Sequence, residues 1–267
     1  MVEHKGLEDG RLYAMTTQIN AEKPQAGGFV AGTLVHTKEG LKPIEEIKVG
    51  DWVLSKPENG EGEQAYKRVT RTYEFDDKAI WSINFTGGED VGFADPYSSD
   101  RLFVTGDHPF WVVGITELFM PVYCEIELPD LINRWIPANK LAPGIVLLLA
   151  DGSLVQTLDV CQLVQTKYLD MAWYDLNNDI FPDNRVQLID FSCANPDVCV
   201  GDVLDKQGRV IFEAIGGDSQ YYPPPDTQVY LNEDETVKWY SRKVYNLEVE
   251  GYHAYFVAKQ GVRVNAH

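Results

Sequence analysis

From Phe29 onward the chain is broken into short runs of β-branched and aromatic residues separated by Gly, Asp and Asn: TLVHT, WVLS, KRVTRTYEF, IWSINF, RLFV and FWVV. In KRVTRTYEF, Val69, Arg71, Tyr73 and Phe75 share one face, opposite Thr70, Thr72 and Glu74. That is period two, the spacing of a half-buried strand and not of a helix. The pattern predicts a fold built of strands. The chain has 267 residues, 44% hydrophobic and 12% aromatic, enough for one large β domain or two small ones around a sizeable core.

Two stretches echo each other. Residues 43–54 read PIEEIKVGDWVL and residues 137–148 read PANKLAPGIVLL, each with an aliphatic side chain four positions after the proline and a glycine seven after it. In both, a short helical turn (44–47, 138–141) is expected to lead through a glycine turn into a strand. Two copies imply a pseudo-symmetric β fold. Chance recurrence of a common turn is the alternative, since only three positions match closely.

The formal net charge of -18, with a pI near 4.6, opposes broad attraction to nucleic acid or anionic membrane, and no Lys/Arg run breaks that pattern. Neither is expected as a partner. Cys124, Cys161, Cys193 and Cys199 form no CxxC and have no histidine at ligand spacing, so neither a metal nor a cofactor is expected. A local disulfide between Cys193 and Cys199 stays open. No apolar stretch approaches the ~20 residues that span a bilayer. The first thirty residues lack a basic region followed by an apolar core, so this chain is expected in the cytoplasm without a signal of its own.

Residues 1–27 are polar and without sustained periodicity, a flanking segment that enters the domain at Gly28. Residues 156–240 differ in texture: acidic and apolar residues alternate, turns carry Asp175, Asp183, Asp190, Asp197 and Asp202, and 221–226 read YYPPPD. The prolines favour an extended segment, whether a rigid loop, a hinge or an aromatic-docking ligand.

Three blocks, GGFVAGTLVHTKEGLKPIEEIKVGDWVLS, VTGDHPFWV and VYNLEVEGYHAYFVAKQGVRVNAH, together resemble the Hint family of Hedgehog autoprocessing domains and inteins, and most of all its bacterial intein-like and pre-toxin members. The resemblance implies an all-β, pseudo-two-fold, horseshoe-like fold made of 28–155 and 241–266, with 156–240 an inserted acidic, β-rich lobe and residue 267 the start of a downstream flank. It implies self-cleavage or splicing with the chain's own flanking segments as substrate, the parent being a bacterial secreted effector or toxin. It covers both ends of the chain and lapses over the insert.

That chemistry needs a nucleophile at the first residue of the domain, where the family has Cys or Ser, to attack the carbonyl just upstream. Here that residue is Gly28, preceded by Gly27. Thr105 and His108 match the family's Thr-x-x-His, in which the threonine binds the scissile peptide and the histidine, with an ordinary pKa near 6.5, protonates the leaving amine. Asp107 either tunes that imidazole or caps the turn. His253 stands where the family keeps a histidine that promotes cyclisation of the terminal asparagine; alternation places it on a strand face with Tyr255 and Val257, and packing alone is the other reading. Asn246 stands where many inteins have Asp, which argues for cleavage over splicing. At the terminus the ungapped register puts Asn265 at the penultimate histidine, Ala266 at the cyclising asparagine and His267 downstream; a one-residue deletion would make Asn265 the cyclising residue. With Gly28 and Ala266 at the two reactive positions, the expected domain is inactivated at both ends, by design or by decay. Two other readings stand beside it, a non-catalytic β scaffold whose acidic insert binds a protein partner and a hydrolase with a carboxylate pair.

Overall fold

The computed structural model describes residues 27–87, 99–117, 119, 130–175, 185–193, 196–222 and 238–266. The flank 1–26, Cys124, Phe181, Asp183, the prolines 223–225 and His267 lie outside them. The described residues are all-β: strands, three 3₁₀ turns and no α-helix. Most strands join a single 13-stranded antiparallel sheet, beside a 4-stranded and a 2-stranded one.

The echo is structural. Both copies run strand, strand, 3₁₀ turn, strand: Leu34–Thr37, Gly40–Pro43, Ile44–Glu46 and Trp52–Ser55 in the first, Pro109–Ile115, Arg134–Pro137, Ala138–Lys140 and Ile145–Leu148 in the second. Each turn follows a proline whose φ is near the ring-imposed value, and each ends where the aliphatic residue four positions later donates its N–H back, Ile47 to Ile44 and Leu141 to Ala138 at 3.2 Å. Gly50 and Gly144, at φ 98° and 83°, then reverse the chain into the next strand. The expected duplication is therefore present.

The strand Ala65–Thr86 ties the halves together. Its first part pairs with Trp52–Ser55 and Ser241–Val249, and its second with Ser99–Thr105 and Leu154–Gln162. Asp77, at φ 52°, lies where the register with Ser241–Val249 shifts, a bulge that redirects the strand. Between the duplicated units sits the terminal hairpin Ala254–Val257 and Val262–Asn265, bonded to the first copy through Val257↔Val35 and to the second through Val264↔Phe110. The pairing path then closes through Leu154–Gln162 onto Ala65–Thr86, which leaves few free edges. The last residues of the chain are thus a central element of the sheet.

Pairing within the large sheet continues to Gln162, seven residues past the 155 boundary expected from the sequence, because residues 156–162 bond to Trp81–Thr86. The remainder of the insert forms the smaller sheets, Val164–Gln165, Met171–Asp175, Val186–Asp190 and Asp197–Val198 in one and Val203–Leu204 with Val210–Phe212 in the other. It does not stand apart. Ala172, Tyr174, Ile189 and Phe191 pack with Val30, Ile80, Phe103 and Val244 of the large sheet in one buried cluster. Cys193 and Cys199 are thiols in this arrangement and not a disulfide, and burial pushes the Cys199 thiol up to about 12.

Candidate autoprocessing site

The strand Phe29–Val30 enters the sheet between Ser99–Thr105 and Ser241–Val249, with Phe29 opposite Val104 on one side and Tyr245 on the other. This register sets the peptide unit joining Gly27 and Gly28 among side chains from both neighbours. The Gly28 N–H donates to Thr105 Oγ1 at 3.1 Å, while the Gly28 carbonyl accepts the Thr105 N–H at 3.0 Å. On the other flank Asn246 Nδ2 donates to the Gly27 carbonyl at 3.0 Å. Both polar ends of the Gly27–Gly28 peptide are therefore held by buried side chains, Thr105 at 4% and Asn246 at 1% exposure. Two such bonds on one peptide fix its plane.

Asn246 is itself fixed. Its Oδ1 accepts the Leu247 N–H at 2.7 Å and the Tyr255 hydroxyl at 2.9 Å. A backbone N–H can only donate, so the amide oxygen must face Leu247 and the NH₂ must face the Gly27 carbonyl.

His108 follows the turn made by Thr105 to Asp107, its N–H bonded to the Thr105 carbonyl at 3.2 Å. The ring is fully buried, edge-on to Phe29 with centroids 4.5 Å apart and 6.2 Å from Phe110. Neither ring nitrogen has a hydrogen-bond partner among the described residues, and burial lowers its pKa to about 3. This corrects the sequence expectation of an ordinary pKa: at neutral pH the imidazole is uncharged and has no proton to spare for a leaving amine. Asp107 does not tune it. That carboxylate is exposed and turned towards Gly27, where a Cβ would meet Oδ1 at 2.9 Å.

Gly28 is fixed by sterics as well as lacking a nucleophile. A Cβ there would lie 2.9 Å from the Tyr245 carbonyl carbon and closer still to its oxygen. Backbone occupies the space, so a larger residue requires the strand to shift.

At the other end, Ala266 is fully buried in the same apolar cluster as Phe29, Phe110 and Tyr255, and its N–H donates to the His253 carbonyl at 2.9 Å. His253 is not a strand residue, as alternation suggested. It ends a turn at φ 50°, one position before Ala254–Val257 begins, so the strand's alternation does not govern its side chain. Asn265 pairs with Ala254 and points its amide at Glu58, Nδ2 to Oε1 3.3 Å. Two positions back, Arg263 is fully buried between Trp111 and Trp135, 4.6 and 5.1 Å from their ring centroids, and bonds the Pro57 carbonyl. The site contacts that the sequence did not reveal, Tyr255 on Asn246 and Glu58 on Asn265, join residues far apart in the chain or on different strands. No local spacing marks them. Among the described residues no group of three or more His, Cys, Asp or Glu side chains converges to hold a metal, and no helix is long and apolar enough to cross a membrane.

No protein-family model matches this chain, and no curated protein sequence does. Solved structures do match. They include a bacterial intein-like domain from Clostridium thermocellum, 20% identical, covering 89% of this chain and 97% of its own at a TM-score of 0.45. The gp41-1 intein is 14% identical over 90% of this chain and 98% of its own, TM-score 0.43. A DnaB intein from Synechocystis sp. PCC 6803 is 9% identical over 90% and 99%, TM-score 0.40. At these identities and scores the likeness assigns no chemistry to this chain, which rests on its own residues.

Proposed function

We propose that this chain is a Hint-type autoprocessing domain whose substrate is its own backbone at the Gly27–Gly28 and Ala266–His267 bonds, and that both reactions are stopped in this copy. The observation that carries the reading is the two-sided grip on the Gly27–Gly28 peptide inside the protein, Thr105 on its nitrogen and Asn246 on its oxygen.

With a cysteine at position 28, its sulfur attacks the Gly27 carbonyl carbon, the carbon–nitrogen bond to residue 28 breaks, and a thioester forms. The thiol proton ends on the departing nitrogen; His108, uncharged near pH 7, can relay it only by first accepting it. At position 266 an asparagine amide attacks its own carbonyl, releasing residue 267 as an amine and leaving a succinimide. Glycine and alanine supply neither group. The amide of Ala266 on the His253 carbonyl, with Asn265 turned to Glu58, favours the ungapped register. With both groups restored, the proposed cuts would release or join the segments attached at the two ends.

Intact-mass spectrometry tests this. The chain as it stands should keep its full mass for days near neutral pH, with or without added thiol. Gly28→Cys should lower stability, because of Tyr245, yet cleave after Gly27 when thiol is supplied. Adding His108→Ala should slow that cleavage by ~10²-fold or more, the scale of a lost proton-transfer group. A folded Gly28→Cys variant that gives no thiol-dependent product sinks the assignment. The scaffold reading keeps one supporting observation: the insert exposes Leu169 at 84%, Val200 at 74% and Tyr222 at 64%, apolar side chains that a protein partner could cover.

A further inference from the structure

Resting on the autoprocessing reading, the geometry points to Asn246 as the catalytic residue that polarises the Gly27 carbonyl, a donor that works independently of pH because Leu247 and Tyr255 lock its amide in the donating orientation. The contact is 3.0 Å, and the group is 1% exposed. Attack on the carbonyl carbon moves the π electrons onto that oxygen, and a buried donor aimed at it stabilises the charge as it grows. The reaction begins with the donor already in place.

An amide is suited to this place in a way a carboxylate is not. Ionised aspartate accepts only, and its oxygen would face the Gly27 carbonyl in repulsion. It can donate only when protonated, and acidic pH hinders a sulfur nucleophile, which reacts as the thiolate. Asparagine separates the two demands. The titratable groups of the site do not alter this: Asp107 is exposed on the Gly27 side, His108 is neutral near pH 7, and Tyr255 is fully buried with its hydroxyl ionising well above the ordinary range.

Tyr255 is then a positioning residue. Its hydroxyl bonds Oδ1 from a strand of the terminal hairpin, whose other strand leads to Ala266. The carbonyl grip at the first bond thus depends on the element that carries the second.

The uncut chain allows a test that needs no cleavage. Gly–Gly peptides occur only at 27, 87 and 216, so glycine labelled with carbonyl ¹³C and amide ¹⁵N gives three resolvable carbonyl signals, assigned with Gly88→Ala and Gly217→Ala. The Gly27 carbonyl should resonate downfield, stay constant from pH 5 to 9, and move upfield in Asn246→Ala. In Asn246→Asp it should titrate, the downfield signal being lost as the carboxyl ionises. Tyr255→Phe, which removes one oxygen and keeps the packing, should give a smaller upfield move. A Gly27 signal unchanged in Asn246→Ala overturns the proposal. In the Gly28→Cys background, Asn246→Ala should slow thiol-dependent cleavage ~10²-fold or more, and Asn246→Asp should cleave only below the pKa of its carboxyl. Undiminished cleavage in both overturns the catalytic role. Carbonyl shifts as expected, with no cleavage from a folded Gly28→Cys chain, sink the autoprocessing reading and the catalytic role with it, leaving a structural contact.

Discussion

His108 shows how far a side chain's chemistry departs from its type. In solution its pKa is near 6.5; enclosed by Phe29 and Phe110 without a hydrogen-bond partner among the described residues, it is held at about 3. The folded state therefore binds this proton less readily than the unfolded state. The contribution is complete above about pH 6.5 and is lost as pH falls towards 3, with a slope of at most ~1.4 kcal/mol per pH unit. Urea unfolding between pH 7.5 and 5.5 should show this loss, and His108→Phe should flatten it, since phenylalanine fits the aromatic surroundings and takes no proton. An identical pH dependence in the two proteins would mean that the imidazole is hydrated and ordinary. The residue before Phe29 is constrained in a different way: Gly28 is set by the nearness of the Tyr245 carbonyl, so its smallness is now part of the packing.

The duplicated turns are the elements on which the fold is hinged. Gly50 and Gly144 both take positive φ, and nothing lies within 4 Å of a Cβ built at Gly50. Replacement there meets conformational strain and no collision. Gly50→Ala and Gly144→Ala should each destabilise by ~1–2 kcal/mol, and Gly50→Asn by less, since Asn tolerates the left-handed region better. Thermal melting of the three variants measures it. Similar losses at the two sites are the expectation for equivalent turns, and no loss at either would contradict the left-handed conformation. Both turns were legible in the sequence because proline, aliphatic and glycine act within a few residues of one another.

At the scale of the whole molecule the insert is joined to the large sheet by a shared core. Val30, Ile80, Phe103 and Val244 are covered by Ala172, Tyr174, Ile189 and Phe191, and Arg242 bridges to Asp170 at 3.1 Å. Replacing residues 164–239 with a short Gly/Ser linker should therefore leave a sheet that melts at lower temperature and binds a hydrophobic dye, as four large apolar side chains meet water. A variant that melts like the full chain and binds no dye would show the lobe to be independent. The N-terminal strand is among the exposed elements, so the loss should reach the Gly27–Gly28 grip.

The sequence by itself determined the strand-built fold and the duplicated turns. These follow from side-chain period and from the dihedral preferences of proline and glycine, which act over a few residues. It also gave the identities of residues 28 and 266, a glycine and an alanine, which carry neither a nucleophile nor a side-chain amide. Only the tertiary structure decided the rest. Asn246 reaches the Gly27 carbonyl across 219 positions of chain, His253 leaves the strand that its alternation suggested, and sheet pairing runs on to Gln162. Burial alone set the charge state of His108. Each depends on what surrounds a group once strands distant in sequence lie side by side, and hydrogen-bond geometry and desolvation exist only there.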